Sequence, residues 1–335
     1  MPNGAEDDTR TAEPGFADIQ TKAAAVRANI EKVIIGKSAE IDLILTALLA
    51  GGHVLLEDVP GTGKTQLAKA LAKSLDCGFC RVQFTPDLLP SDLTGINFYN
   101  PKTGEFTFRR GSLFTNILLG DEINRATPRT QSGLLESMEE RQITVDGETW
   151  PLDAPYFVAA TQNPVETQGT FPLPEAQLDR FLIQMGVGYP RSEEVVAIIG
   201  RYVKEDPLRG LTPVCGKADI LRMQEAVRNV FIHEDISRYI IALAERTRAH
   251  DAVSLGVSTR GCIALARAAQ SYAALAGRAF TIPDDVKYLV PYVFAHRLIL
   301  RGGPGVKTVR ARHVVEDALT AVPVPTEEWK RAEVR

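Results

Sequence analysis

The fold is decided by the stretch Glu57-Asp58-Val59-Pro60-Gly61-Thr62-Gly63-Lys64-Thr65, which we call the phosphate loop. An apolar segment, residues 53–56, leads into it, and an amphipathic run, residues 66–75, follows it. A strand, a glycine-rich turn and a helix in this order form the setting that a phosphate-binding loop requires. Backbone N–H groups of such a turn and of the first helical turn point toward phosphate oxygens. We therefore predict that the phosphates of a nucleotide bind here.

Two residues at the end of the phosphate loop carry its chemistry. Lys64 can reach the β- and γ-phosphates, and Thr65 can offer its hydroxyl to Mg²⁺. The usual pattern has a glycine at position 58, where this chain has Asp58. Because the Gly-Lys-Thr end is intact, we interpret the loop as a variant; the alternative is a tight turn that binds nothing. The residues expected to hold the nucleotide are Val59, Pro60, Gly61, Thr62, Gly63, Lys64, Thr65 and Gln66.

The composition is that of a globular protein with room for two domains. The chain has 335 residues, of which 44% are hydrophobic and 24% are charged,. No apolar run approaches the roughly 20 residues that a membrane helix needs. The N-terminus lacks the basic-then-apolar pattern of a signal peptide. We therefore expect a cytoplasmic protein without membrane insertion.

Charge is distributed unevenly along the chain, although the net charge is only −4. Residues 1–18 carry −4, residues 19–190 carry −5 and residues 191–335 carry +5. An acidic first domain and a basic second domain could attract each other across a subunit boundary. No block of lysine and arginine resembles a nucleic-acid-binding arm, so we do not expect a nucleic-acid partner.

The order of elements predicts an α/β domain followed by a helical one. Residues 1–16 are polar, and we expect them to form a disordered acidic tail. Over residues 17–189, apolar strands separated by helices or insertions predict a parallel sheet with crossover connections. After Tyr189-Pro190 the pattern becomes helical. We therefore assign residues 190–335 to a second, helical domain.

Two insertions into the first domain are predicted to be β-hairpins. In the first, at about 95–109, two alternating strands flank a five-residue connection. In the second, at about 142–152, Asp146-Gly147 is a strong signal for a two-residue turn. The first hairpin carries the aromatic residues Phe98, Tyr99, Phe106 and Phe108. These rings favour contact with a client protein; the alternative is that they pack on the domain itself.

Polar residues follow two of the predicted apolar strands. Asp121 is placed to hold Mg²⁺, and Glu122 to polarise the attacking water. This pair favours hydrolysis over simple nucleotide holding; the alternative is a solvated strand end. Asn163 closes the next apolar strand and could orient the water or touch the γ-phosphate, although Asn-Pro also simply starts a turn.

Two arginines could bring positive charge to the transferred phosphoryl group, which gains most from a cation there. Arg180 ends a short helix that should face away from the subunit's own phosphate loop. Arg260 lies at a helix start in the second domain, where its charge and the helix N-terminus both favour phosphate. The alternatives are that Arg180 is an exposed partner of Asp179 and that Arg260 is an ordinary surface residue.

Six stretches together are highly specific: residues 53–65, 84–92, 121–126, 136–141, 160–164 and 173–181. With them the chain closely resembles the MoxR family of AAA+ ATPases over about residues 30–325. The resemblance implies an αβα core with a five-stranded parallel sheet and a C-terminal helical lid, assembled into a ring that we expect to be a hexamer. It implies that Asn163 is sensor 1, Arg180 the arginine finger reaching a neighbour's nucleotide and Arg260 sensor 2.

The resemblance also implies the cofactors and partners. ATP and Mg²⁺ would be bound, with Thr65 and Asp121 holding the metal. The segment from Val33 to Gly36 would lie against adenine, with Ile35 and Gly36 as its binding residues. The function it implies is chaperone-like remodelling or maturation of a protein partner, often one that carries a von Willebrand factor A domain, and in some members help with metal insertion.

Three other functions stay open from the sequence. A magnesium-chelatase-like motor subunit would share both insertions. A ring motor acting on nucleic acid would place lysine or arginine at the hairpin tips, whereas the second tip is Asp146-Gly147-Glu148 and the first has only Lys102,. A nucleotide-gated scaffold would have no need for Lys64, Asp121, Glu122 and Arg180 together.

Overall fold

The computed structural model describes residues 15–57, 61–102, 104–163, 169–203, 205–301 and 307–325, with the side chains of 307–309 left out. The expected disordered tail, residues 1–16, lies outside this part except for its last two residues. Phe16 belongs to the first helix instead, so the tail as predicted is at least one residue too long.

The elements within the described residues follow the chain in this order. The strands are β1 (Val54–Glu57), β2 (Phe79–Gln83), β3 (Gly95–Asn100), β4 (Glu105–Arg110), β5 (Ile117–Asp121), β6 (Gln142–Val145), β7 (Glu148–Pro151), β8 (Phe157–Gln162), β9 (Ile183–Met185), β10 (Val253–Leu255) and β11 (Ile299–Leu300). The α-helices are α1 (Phe16–Glu31), α2 (Ser38–Leu49), α3 (Lys64–Ser74), α4 (Pro90–Thr94), α5 (Pro128–Glu140), α6 (Glu175–Leu178), α7 (Ser192–Tyr202), α8 (Lys217–Val227), α9 (Glu234–Arg248), α10 (Thr259–Leu275), α11 (Pro283–Phe294) and α12 (Lys307–Ala321).

The core sheet has five parallel strands in the order β2-β5-β8-β1-β9. This confirms the predicted five-stranded parallel sheet. The strand before the phosphate loop, β1, lies between β8 and β9, with Val54 opposite both Ala159 and Ile183. Because the strands are parallel, the carboxyl ends of β1, β5 and β8 meet at one edge, where ligands bind in open α/β sheets.

Side chains of alternate strand residues enter two different hydrophobic clusters. Val54 and Leu56 belong to a cluster that includes α1, α2, α3 and the helical lid. Leu55 and Leu118 point to the opposite face, into a cluster with Leu134 of α5. Burial on both faces explains why these strands read as nearly continuous apolar runs.

Helices after β9 form the lid, and they share a core with the first two helices of the chain. In this buried contact the Ser271 hydroxyl of α10 donates a hydrogen bond of 2.8 Å to the Thr46 carbonyl of α2. The amide of Gln224 on α8 donates a bond of 2.7 Å to the Leu48 carbonyl. The lid helices α7 to α12 agree with the helical pattern predicted after Tyr189-Pro190. The boundary at residues 189 and 190 stays a prediction, although β9 ends at Met185 and α7 begins at Ser192.

Both insertions are antiparallel hairpins, and they lie side by side. In the first hairpin, β3 and β4 pair from Gly95 opposite Arg110 to Asn100 opposite Glu105. In the second hairpin, β6 and β7 are joined by Asp146-Gly147, whose φ angles of 51° and 85° suit a tight hairpin turn,. Within the described residues, none of the helices combines the length and apolar composition of a membrane span.

Candidate nucleotide-binding and catalytic site

The phosphate loop leads from β1 into α3 through two glycines in the left-handed region. Gly61 has φ +88° and Gly63 has φ +87°. A Cβ atom on either residue would meet nothing within 4 Å, so there is room for a side chain. Glycine is favoured here because of the positive φ angle. Gly63 also stands at the N-cap of α3, whose first N–H groups have no partner within the helix,. The expected ligands Val59 and Pro60 lie outside the described residues.

A polar cavity of about 470 Å³ lies at the carboxyl edge of the sheet. Its lining joins residues from four separate parts of the chain, as expected for the end of a parallel sheet. The lining residues are Gly61, Gly63, Lys64, Thr65, Gln66, Arg81, Gln83, Asp121, Glu122, Thr161 and Asn163. The structure thus brings together the described end of the loop, both candidate carboxylates and Asn163.

Arg81, Gln83 and Thr161 line this cavity, and the sequence reasoning missed them. Arg81 and Gln83 are alternate residues of β2, and their position depends on β2 lying next to β5. Thr161 is the penultimate residue of β8, two residues before Asn163. A polar residue within an apolar strand was the available signal for Thr161.

An apolar cavity of about 370 Å³ adjoins the polar one and shares Gly61, Gly63 and Gln66 with it. Its other lining residues come from the phosphate loop, the segment after α1 and the start of the lid: Thr62, Val33, Ile34, Ile35, Lys37, Pro190, Val195, Ile198 and Tyr202. The Gln66 side-chain oxygen is buried and has no hydrogen-bond partner among the described residues. An apolar slot with a buried acceptor beside it suits a nucleotide base.

Ile35 and Gly36, the residues expected at adenine, have different positions. Ile35 lines the apolar cavity, but Gly36 is not among the residues that line it. Gly36 has φ +72°, and a Cβ there would lie 2.1 Å from Glu194 Oε1. Its role within the structure is therefore to let the backbone pass close to the Glu194 carboxylate, which caps α7 by accepting from the Arg191 N–H at 2.8 Å.

The buried hydroxyl of Thr161 holds the carboxylate of Asp121 and the backbone of Glu122. This hydroxyl donates to Asp121 Oδ1 at 2.7 Å and accepts from the Glu122 N–H at 2.8 Å. Glu122 has φ +56°, in the left-handed region that non-glycine residues rarely adopt,. Its carboxylate accepts from the Gln83 amide at 2.7 Å and pairs with Arg125 at 3.1 Å. The Asp-Glu pair therefore faces the cavity in a defined orientation.

Arg180 and Arg260 do not line either nucleotide cavity. Arg180 donates to the Leu135 carbonyl at 2.7 Å and pairs with Glu139 at 2.9 Å. Arg260, on the lid, pairs with the same Glu139 at 2.7 Å. Within the described residues, the ionic partner of Arg180 is Glu139, whereas Asp179 pairs with Arg297.

The lid is held to the core beside these arginines. Asp179 pairs with the buried Arg297 of the lid at 2.6 Å, and Arg297 also donates to the Phe181 carbonyl at 2.8 Å. Burial lowers the pKa of Arg297, and the neighbouring Asp179 carboxylate opposes that effect. Breaking such a buried pair leaves an uncompensated charge, so this contact fixes where the lid presents Arg260.

Comparison with known proteins identifies the family. The AAA family, described as ATPases associated with various cellular activities, matches residues 53–183, and the AAA lid domain matches residues 245–318. Chaperone MoxR1 of Mycobacterium tuberculosis is 38% identical over 94% of this chain and 85% of its own. Protein MoxR of Methylorubrum extorquens is 31% identical over 93% of this chain and 97% of its own. The chain belongs to the MoxR family of AAA+ ATPases.

Further relatives extend this result to the fold. Protein YeaC of Bacillus subtilis is 50% identical over 89% of this chain and 93% of its own. A crystal structure of a proposed ATPase from Cytophaga hutchinsonii superposes with a TM-score of 0.86 at 36% identity, covering 93% of this chain and 97% of that one. The MoxR-family resemblance, the αβα core with a helical lid and the assignment as an ATP hydrolase are therefore confirmed.

Proposed function

We propose that this MoxR-family ATPase binds ATP with Mg²⁺ and uses its hydrolysis to remodel a protein partner. One observation carries the proposal: Lys64, Thr65, Asp121, Glu122 and Asn163 line one polar cavity that joins an apolar cavity at the phosphate loop. The apolar cavity suits the base, and the polar cavity suits the triphosphate. Glu122 and Asn163 line the polar cavity, where the attacking water would bind.

The donor set at the cavity fits Mg²⁺. The Thr65 hydroxyl and the Asp121 carboxylate line the same cavity, and both are the oxygen ligands that this ion prefers,. Asp121 already pairs with a cation, Arg81, at 2.6 Å. When bound, the ion would neutralise negative charge on the β- and γ-phosphates. Phosphate oxygens and water would complete its coordination, because Mg²⁺ is rarely bound by protein ligands alone.

The other residues of the site have separate roles in hydrolysis. N–H groups at the start of α3 and the Lys64 ammonium bind phosphate oxygens. Glu122 accepts a hydrogen bond from the attacking water and orients it toward the γ-phosphorus. Asn163, which is 7% exposed and directly follows β8, lines the same cavity and can fix the second side of that water.

A neighbouring subunit would supply further positive charge near the γ-phosphate. Neither Arg180 nor Arg260 lines the cavities of its own chain, and this supports the proposal that a second copy presents them to the γ-phosphate. A ring of identical subunits places such residues at every interface. We propose a homo-oligomeric ring, with six subunits on the family resemblance.

The first hairpin offers a surface for the protein partner. Phe98, Tyr99 and Phe106 are 56%, 50% and 72% exposed, whereas Phe108 stacks on Trp150 of the second hairpin. Exposed aromatic clusters of this kind commonly mark protein-binding sites. The name of the Mycobacterium tuberculosis relative, a chaperone, supports remodelling as the outcome. A partner with a von Willebrand factor A domain follows from the resemblance alone.

The proposal is tested by nucleotide binding. Lys64→Ala removes a charge-assisted contact to the phosphates, each worth about 1.5–3 kcal/mol, so affinity for ATP should fall by about 10-fold or more. Lys69→Ala, an exposed residue on the same helix, is the matched control and should bind as the wild type does. Equal affinities of Lys64→Ala and wild type in equilibrium binding would refute the assignment of the phosphate loop.

A further inference from the structure

Arg81 lines the polar cavity, yet the hydrolysis scheme above gives it no role. Its Nη2 lies 2.6 Å from Asp121 Oδ2, and its Nε donates to the same oxygen at 3.3 Å. The same Nη2 also donates to Gln83 Oε1 at 3.0 Å. One guanidinium therefore joins the carboxylate assigned to magnesium with the side chain of Gln83.

The strand geometry explains this arrangement. Arg81 and Gln83 are two residues apart on β2, so their side chains leave the same face of the sheet. β2 pairs with β5 in a register that puts Gln83 directly opposite Asp121. Both side chains therefore face Asp121 and Glu122, which follow one another in the chain.

Arg81 also determines how Gln83 is oriented. A guanidinium can only donate hydrogen bonds, so Gln83 turns its oxygen toward Arg81 and its NH₂ group away. That NH₂ group donates to Glu122 Oε2 at 2.7 Å. The contacts thus close a ring from Asp121 to Arg81, Gln83 and Glu122. The Asp121 carboxylate is thus connected to the Glu122 carboxylate through three successive hydrogen bonds.

We propose that Arg81 is the counter-charge of Asp121 before nucleotide binds, and that Mg²⁺ arriving with the nucleotide displaces it. Two cations cannot occupy the same carboxylate oxygen without strong repulsion. Once Arg81 leaves, Gln83 loses the donor that oriented it and its hold on Glu122 weakens. Arg81 is therefore a positioning residue that links arrival of the metal to loss of the Gln83 contact on the water-polarising carboxylate, which keeps its pairing with Arg125. This inference rests on the proposed function, because it requires nucleotide and Mg²⁺ at this cavity.

The test compares the affinity of a fluorescent ADP analogue in EDTA with its affinity in saturating Mg²⁺. In Arg81→Gln, Asp121 has no counter-charge and repels the phosphates when metal is absent. With Mg²⁺ bound the carboxylate is neutralised in either protein, and Arg81→Gln has no ion pair to break, so its affinity should equal or slightly exceed that of the wild type. The ratio of the two affinities should therefore increase about three- to fivefold, the size expected for a partly exposed ion pair.

Two further variants make the result specific. Arg81→Lys keeps the positive charge and should restore a ratio near that of the wild type. Arg109→Gln removes one charge from the exposed first hairpin and should leave the ratio unchanged. Because the Arg81 side chain is 45% exposed, its replacement should not unfold the chain, and the affinity in Mg²⁺ checks this directly.

The outcomes separate the two proposals. An unchanged ratio in Arg81→Gln, or an equal change in Arg109→Gln, overturns the role of Arg81 while nucleotide binding stands. Failure of the wild type to bind the ADP analogue under either condition overturns the proposed function itself.

Discussion

Arg180 and Arg260 bind opposite oxygens of the Glu139 carboxylate, at 2.9 and 2.7 Å. Arg180 belongs to the ATPase core and Arg260 to the lid, so the two domains present one paired cationic group. Neither residue lines a nucleotide cavity of its own chain. This arrangement agrees with the proposal that both arginines serve a neighbouring subunit, and it suggests that they act together.

A subunit-mixing experiment tests catalysis between subunits. Arg180→Ala has an intact phosphate loop but no arginine finger, and Lys64→Ala has an intact finger but a defective phosphate loop. Each variant alone should therefore be nearly inactive. In an equal mixture that exchanges subunits, about one quarter of the interfaces should pair an intact loop with an intact finger and regain the activity that a finger in trans supplies. ATP turnover after mixing is the measurement.

The double variant Lys64→Ala/Arg180→Ala is the control for mixing. It exchanges subunits in the same way but supplies no finger, so its mixture with Arg180→Ala should stay inactive. If the first mixture also stays inactive despite demonstrated exchange, Arg180 acts only within its own chain.

The first hairpin has a base that packs on the second hairpin and a tip that is exposed. Phe108 stacks on Trp150 with ring centroids 4.7 Å apart and planes 13° from parallel, and Asn97 donates to Asp146 at 2.8 Å. Trp150→Ala should therefore lower the free energy of unfolding by about 1–2 kcal/mol. Phe106→Ala, at the exposed tip, should change it by less than about 0.5 kcal/mol. Urea denaturation of both variants decides the point; equal losses would contradict the division.

Sequence patterns were sufficient for the parts of the site that depend on a single strand end. Lys64, Asp121 and Glu122 each follow an apolar run, and parallel pairing brings such ends together whatever the strand order. Arg81 and Gln83 could not be found in this way, because their role depends on β2 being the neighbour of β5. The shared contact of Arg180 and Arg260 with Glu139 depends on how the lid docks, which no local pattern records.

Gly36 shows a limit of the family resemblance. The resemblance implied contact with adenine, whereas the structure sets Gly36 against Glu194, a residue of the lid that is distant in the chain.

Stability should depend on pH through His53, which is 3% exposed. The Val158 N–H donates to its Nδ1 at 3.0 Å, so the proton is on Nε2, which faces the Met138 carbonyl at 3.1 Å. Burial, aided by the charge of Arg141, lowers the pKa of His53 to about 3. The unfolded chain, with a His pKa near 6.5, therefore binds more protons between these values.

It follows that the free energy of unfolding decreases as the pH falls from about 6.5 toward 3. The slope due to His53 approaches about 1.4 kcal/mol per pH unit. His53→Gln should show a dependence shallower by that amount between pH 6 and 5, measured by urea denaturation. His313→Gln, which changes an exposed residue on α12, is the control and should keep the wild-type slope. An unchanged slope in His53→Gln would show that this residue is not held neutral.

The central claim, that Glu122 polarises water for ATP hydrolysis in this cavity, is tested most directly by single-turnover hydrolysis of ATP in Mg²⁺. Glu122→Gln keeps the shape of the side chain but loses its charge, so the rate should fall by about 100-fold or more while ATP still binds. Glu225→Gln, an exposed change on α8, should hydrolyse ATP at the wild-type rate. A wild-type rate in Glu122→Gln would contradict the account.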